Sequence, residues 1–315
     1  MSYNLEALKR VTAYSPGSAS NLGPGFDCLG IAFTGRGDQV TATVEDAAGV
    51  RVGSVSDPRI PLDPSRNTAA IAASSVMRRA KVPAAFGLRL EIDKGLPLSG
   101  GMGGSAASAV AGAVATDALL GSKLPRAELL AAALDAEAVV AGRHADNVGP
   151  SLFGGAVLVV SLEPLLLAQV RVHPGLALVL VSPDYQVETA AARAVLPRDV
   201  ARADAVLQSA RLGALVLGLE RAAADLIRGS MQDLIAEPAR RHLYPGFAEA
   251  RAAALEAGAL GVVVSGAGPT VVAVVLAEVT DRVAKALSEA YRARGIGAQV
   301  HCAQVDDRGA RVVSP

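Results

Sequence analysis

Residues 98 to 113 read LSGGMGGSAASAVAGA, and the residue types switch abruptly within that run. Glycines and small hydroxyl residues fill its first half and alanines its second, so the weakest ordinary helix former gives way to the strongest near Ser105. A glycine turn that opens into a helix gathers free backbone N–H groups and the positive end of a helix dipole at one point. The chemistry available there is anion binding, and phosphate is the usual anion. Two familiar phosphate patterns do not fit. No Gly-Lys-Ser or Gly-Lys-Thr occurs, which excludes a Walker loop, and the dinucleotide pattern meets Ala106 and Cys28 where its last glycine should stand. Taken by itself the loop could be a plain strand-to-helix connection.

Three other stretches carry polar groups in unusual company. SPGSASNLGPGFDCLG, residues 15 to 30, is a small-residue loop whose strongly polar side chains are Asn21 and Asp27. Glycine and proline let backbone approach a small ligand, and Asn and Asp can grip its polar groups; an ordinary turn with an Asx cap has the same look. On a helix expected over 126 to 141, Leu130, Leu134 and Glu137 share one face, so a carboxylate projects among apolar neighbours, where an unpaired charge is costly. An inward ion pair, for which Arg143 is the nearby cation, would explain it; so would a Mg²⁺ ligand, since a hard cation takes carboxylate oxygen beside phosphate oxygen. GRHADNVGPSLFGG follows at 142 to 155, a polar cluster of His144, Asp146 and Asn147 read as a loop. VSGAGPT, 264 to 270, reads as a hairpin turn between two apolar strands.

The elements that must position these groups alternate between strand and helix. Strands are expected at 9 to 15, 28 to 34, 38 to 45 and 86 to 93, and helices at 66 to 81, about 105 to 120 and 126 to 141. A β-branched run at 154 to 162 reads as a buried strand, and two more strands flank a His-Pro-Gly turn at 173 to 175. Alanine-leucine helices fill roughly 188 to 228, and the chain closes as strand, turn, strand, helix, strand. The division between two domains falls near 160 to 170.

Composition excludes several classes. Lys+Arg and Asp+Glu are both 30, aromatic residues are 3% and tryptophan is absent, so neither a nucleic acid nor an anionic membrane surface is the expected partner. Cys28 and Cys302 stand far apart and the four histidines have no metal-ligand spacing, which fits a reducing cytoplasm. MSYNLEALKR lacks the apolar run of a signal peptide, and no apolar stretch reaches membrane-spanning length.

Taken together, SNLGPGFDCLG, PLSGGMGGSAAS, HADNVGPSLFGG, TAAARAVLP (189 to 197), MQDLIAEPARRHLYPGF (231 to 247) and SGAGPT resemble the GHMP kinase superfamily over nearly the whole chain, and within it the branch that acts on homoserine. The resemblance implies an α+β, two-domain fold. The N-terminal domain, residues 1 to 165, is expected to resemble the second domain of ribosomal protein S5. The C-terminal domain, residues 166 to 315, is expected to be ferredoxin-like, with ATP between them. It implies ATP-dependent phosphorylation of the L-homoserine side-chain hydroxyl in threonine biosynthesis, by a cytoplasmic homodimer.

The same resemblance implies residue roles. The loop Pro97, Leu98, Ser99, Gly100, Gly101, Met102, Gly103, Gly104, Ser105, Ala106 and Ala107 would wrap the phosphates, and Asn67 lies where adenine is held. Ser105 and Glu137 would hold Mg²⁺, while Asn21, Asp27, Asn147, Arg193 and Arg240 would grip homoserine beside Thr189. An amino acid needs a carboxylate for its ammonium and a guanidinium fork for its own carboxylate. Met102 and Gly104 replace the leucine and first serine usual in that loop, so one hydroxyl donor is missing. Asn147 stands where related kinases carry a base aspartate, and an amide accepts no proton, so the hydroxyl proton is expected to pass to a phosphate oxygen. A kinase of another small alcohol, such as shikimate or mevalonate, and a nucleotide-binding regulator without turnover are the alternatives.

Overall fold

The protein is described from a computed structural model covering residues 9–140 and 142–314. The reading of the N-terminal segment for residues 1–8, and the expected helix end at Ala141, lie outside these residues. The first part of the chain forms β1 (Arg10–Asn21), β2 (Gly25–Glu45), β3 (Gly49–Val55), α1 (Thr68–Arg79), β4 (Gly87–Asp93), α2 (Gly104–Leu119), α3 (Arg126–Val140), α4 (Ala145–Phe153), β5 (Ala156–Leu162) and β6 (Leu165–Val170). The second part forms β7 (Leu176–Pro183), α5 (Thr189–Ala194), α6 (Arg202–Arg221), α7 (Ala224–Ser230), α8 (Ala236–Arg240), α9 (Phe247–Glu256), β8 (Gly261–Val264), β9 (Val271–Leu276), α10 (Thr280–Ala293), β10 (Ala298–Ala303) and β11 (Arg311–Ser314).

Two sheets result. The larger runs β11-β1-β2-β4-β3, with β5 on β2 and β6 on β5; the smaller runs β10-β7-β9-β8 and is antiparallel throughout. The second half thus reads strand, helices, strand, strand, helix, strand, the order of a split β-α-β sandwich. Strand β7 shows why the layers stack as they do. Ala177, Val179 and Val181 pack under α9 and α10 with Ala250, Val283 and Leu287, whereas Leu176, Leu178 and Leu180 meet Leu215, Leu219 and Ile227 of α6 and α7. Burying a Leu or Val side chain is worth about 1.5–3 kcal/mol, so a one-residue slip in β7 would forfeit both faces at once. The leucine side of β7 shares one apolar cluster with Leu22, Leu29, Ile31 and Phe33, which joins the two halves through a common core. Pairing does not respect the expected division at 165: β6 and the C-terminal β11 both belong to the larger sheet.

Four local expectations change. The strands expected at 28 to 34 and 38 to 45 are one strand, β2, bent at Gly35 (φ 85°), with a register shift opposite at Pro16/Gly17. The small residues at 15 to 21, read as loop, continue β1, because Ser15, Ser18 and Ser20 are fully buried and leave room for α4 and the glycine loop. Residues 145 to 153, also read as loop, form α4 despite Gly149 and Pro150; the helix packs on β1 and β2 and buries most of its side chains, so tertiary burial overrides weak propensity. β3, unread in the sequence, pairs in parallel with β4.

Candidate active site

The cleft between the two halves encloses about 630 Å³ and gathers nearly every residue singled out above. Asn21, Asp27, Asn67, Pro97 to Gly101, Gly103, Gly104, Ser105, Glu137, Asn147, Thr189, Arg193 and Arg240 all line it. Met102, Ala106 and Ala107 do not; their side chains are buried in the apolar clusters behind the loop.

The glycine loop is built around the start of α2. Gly103 starts that helix at φ 66° and offers no side-chain cap, and no acidic residue lies in the first turn, so the leading N–H groups and the positive dipole end stay available for an anion. A Cβ at Gly103 would run into the Ser18 hydroxyl and the Asn147 side chain, so the positive φ and the close approach both require glycine. The base of the loop is pinned by a buried ion pair missed in the sequence. Lys94 Nζ contacts Asp38 and donates to the Gly104 carbonyl at 2.7 Å and Ser108 Oγ at 3.1 Å; Asp38 also accepts from Ser108 and from the N–H groups of Gly95 and Leu96. A Cβ at Gly104 would lie 3.2 Å from Lys94 Nζ and from the Pro97 carbonyl oxygen, a close fit that asks those neighbours to give by a few tenths of an ångström. A lysine directly before an anion loop was the available signal.

Glu137 is 5% exposed, and its Oε1 has no hydrogen-bond partner. Burial pushes its carboxyl up to about 7, against the lowering effects of a Ser105 hydrogen bond and the Lys94 charge. The ion pair with Arg143 is not formed; Arg143 lies 3.9 Å from Glu163 on the surface. An orphaned buried carboxylate oxygen beside Ser105 and an anion-binding loop suits a hard cation that also takes phosphate oxygens. Asn67 has a structural duty: its Oδ1 caps α1 by accepting from Ala70 N, and its Nδ2 donates to the Pro61 carbonyl. Ile60, Pro61, Val139 and Val140 supply apolar surface at that end of the cleft.

At the other end Arg193 grips Asp27 with two hydrogen bonds of 2.9 and 3.0 Å. Asn21 holds the Asp27 N–H through Oδ1 at 3.1 Å and donates to the Gly266 carbonyl at 2.9 Å. Arg240, 4% exposed, donates to the carbonyls of Ala192 and Gly266. The Asn147 amide is locked between Ser18 and Ser20 at 2.9 and 3.0 Å. Asp146 beside it is buried and lines the cleft, its Oδ1 unpartnered; burial and the charge of Asp27 push its carboxyl up to about 6. The GAGP hairpin turn does more than join β8 and β9. Ser265 Oγ donates to the Gly101 carbonyl at 2.5 Å and accepts from Ser20 N, tying the second sheet to both small-residue loops.

The arrangement pairs an anion-binding helix start and a cation-ready carboxylate with an acidic and two basic side chains suited to a zwitterion. Comparison with known proteins agrees with that chemistry. Residues 67–155 match the model of the GHMP kinases N terminal domain and residues 212–293 that of the GHMP kinases C terminal. The chain is 42% identical to a homoserine kinase of Xylella fastidiosa over 306 residues, 96% of this chain and 93% of that one. It is 40% identical to the homoserine kinase of Arabidopsis thaliana, covering 96% of this chain and 85% of that one. The crystal structure of homoserine kinase from Cytophaga hutchinsonii superposes with a TM-score of 0.93 at 37% identity, over 99% of this chain and 100% of that one.

Proposed function

From the premise that this chain belongs to the homoserine kinases of the GHMP kinase family, we propose the following reading of its cleft. The chain transfers a phosphoryl group from ATP to the side-chain hydroxyl of L-homoserine, giving O-phospho-L-homoserine for threonine biosynthesis. The observation that carries the substrate assignment is the juxtaposition of Asp27 with Arg193 and Arg240 at one end of the cleft and the uncapped start of α2 at the other. Asp27 takes the substrate ammonium, and the two arginines take its carboxylate; Asn21 and Thr189 complete the grip. Mevalonate carries no ammonium for Asp27 to meet. The loop from Pro97 to Ala107 binds the phosphates through its backbone N–H groups, and Ile60, Pro61, Val139 and Val140 face the base near Asn67.

Glu137 and Ser105 would hold Mg²⁺, which, when bound, neutralises charge on the nucleotide phosphates. A hard cation held there by so few protein oxygens would take phosphate oxygens of the nucleotide as further ligands. Transfer rests on positioning and charge neutralisation. Asn147 is engaged at both ends of its amide and orients rather than deprotonates, and the hydroxyl proton passes to a phosphate oxygen. The orphaned Oδ1 of Asp146 favours a second route, in which that carboxylate accepts the proton. We assign residues 1–165 to an ATP-binding domain and 166–315 to a C-terminal kinase domain, with β6 and β11 of the latter completing the sheet of the former. The cytoplasm as compartment fits the free thiols of Cys28 and Cys302, and the homodimer rests on kinship with the family. No helix among the described residues is long and apolar enough to cross a membrane.

A coupled assay with ATP, Mg²⁺ and a panel of L-homoserine, shikimate and mevalonate tests the reading. Turnover of homoserine is expected. Turnover of another alcohol with none of homoserine would overturn it.

A further inference from the structure

Neighbouring residues of a strand face opposite sides of its sheet, yet Phe26 and Asp27, consecutive in β2, both line the cleft. Asp27 sits at φ 57°, a left-handed conformation that an aspartate adopts more readily than most residues. The hydrogen bond from its N–H to Asn21 holds the turn. A local break in strand alternation therefore brings an aromatic ring to the end of the cleft where Asp27, Arg193 and Arg240 meet.

The ring meets two cations. The guanidinium carbon of Arg240, at the end of α8, lies 5.0 Å from the Phe26 centroid, and that of Arg193, on α5, lies 6.0 Å away. Two like charges converging on one site repel, and an aromatic face offsets part of that cost. Arg193 leans otherwise on Asp27, and its Nε is buried without a partner. A zwitterion that presents its ammonium to Asp27 draws those carboxylate oxygens away and removes the anchor of Arg193 as its carboxylate arrives. Arg240 has two backbone carbonyls to hold it besides.

We propose that Phe26 is a positioning residue for carboxylate recognition: its ring holds the Arg193 and Arg240 guanidiniums side by side while Asp27 is given over to the substrate. The proposal rests on the reading of the substrate given above. It makes Phe26 a determinant of selectivity for amino acids over amines of the same length.

Phe26→Leu and Phe26→Met remove the π face, and Phe26→Tyr keeps it. Each variant and the wild type would be assayed with L-homoserine and with 3-aminopropan-1-ol, which retains the ammonium and the hydroxyl and lacks the carboxylate. The KM for ATP and the melting temperature would be measured alongside. In Phe26→Leu and Phe26→Met, the KM for L-homoserine should rise about tenfold, some 1.4 kcal/mol. Their kcat and ATP KM should stay within about twofold, and kcat/KM for the amino alcohol should not change. Phe26→Tyr should behave as wild type. An unchanged homoserine KM would overturn the role, as would equal losses on both acceptors, a Tyr variant no better than Leu, or Leu and Met variants that both fail to fold. A wild-type protein inert toward L-homoserine would overturn the underlying substrate reading, and that result is seen before any variant is compared.

Discussion

Replacing Glu137 by Gln keeps the volume of a side chain that is 5% exposed and removes its charge. Burial raises this carboxyl from 4.5 to about 7, so ionisation disfavours the folded state. Stability is therefore lost as pH rises from the unfolded value through the folded one. By linkage the loss is about 1 kcal/mol at pH 5 and about 3 kcal/mol at pH 8, and it vanishes below about pH 4. Glu137→Gln should recover that difference. Its melting temperature should exceed that of the wild type by roughly 5 °C or more at pH 8 and match it at pH 4. Activity should move the other way. If Glu137 and Ser105 hold the metal, kcat should fall by about 10²-fold, near 3 kcal/mol of transition-state stabilisation. The gain in melting temperature on adding Mg²⁺ and a non-hydrolysable ATP analogue should also shrink. The assay is a Mg²⁺ titration of kcat beside thermal unfolding at pH 4, 6 and 8. A Gln variant that melts lower at pH 8 yet keeps wild-type kcat per folded molecule across the titration would refute both the burial argument and the metal role.

Arg193→Ala should raise the homoserine KM by roughly 30-fold or more while leaving the ATP KM nearly unchanged, because it removes a charge-assisted contact to the carboxylate; steady-state kinetics in both substrates checks this. Lys94→Met strands Asp38, whose side chain is fully buried, and should cost about 3–5 kcal/mol in denaturant unfolding, with a higher ATP KM as the Gly104 carbonyl loses its anchor. Burial and the charge of Asp27 push the Asp146 carboxyl up to about 6. If it accepts the hydroxyl proton, the wild-type kcat/KM should fall below about pH 6, and Asp146→Asn should lose the acid limb together with most of kcat. A limb unchanged in the Asn variant assigns the proton to a phosphate oxygen.

Local pattern was enough to place the anion loop, the helix starting beside Ser105, the face on which Glu137 stands and the closing strand-turn-strand-helix-strand, because each is written in a short run of residue types. The motifs that resemble other kinases pointed to the proposed substrate residues, since Asp27, Arg193 and Arg240 lie more than 200 residues apart at the extremes and no periodicity links them. What the sequence could not contain was the company each group keeps. Arg143 is nearer to Glu137 in the chain than Lys94 is, but it lies by Glu163 on the surface and leaves Oε1 of Glu137 without a partner. Asn67, placed beside the base by resemblance alone, also caps α1, a duty set by where Pro61 and the helix start meet. Asp38 and Lys94 become a pair only when β2 and β4 lie side by side, and Phe26 meets two arginines only because Asp27 breaks the alternation of its strand. Residue type and spacing determine which chemistry is available. Burial and long-range contact decide which polar groups are spent on holding the fold and which are left free to act, because an unpaired charge is tolerable only where a partner or a ligand will meet it.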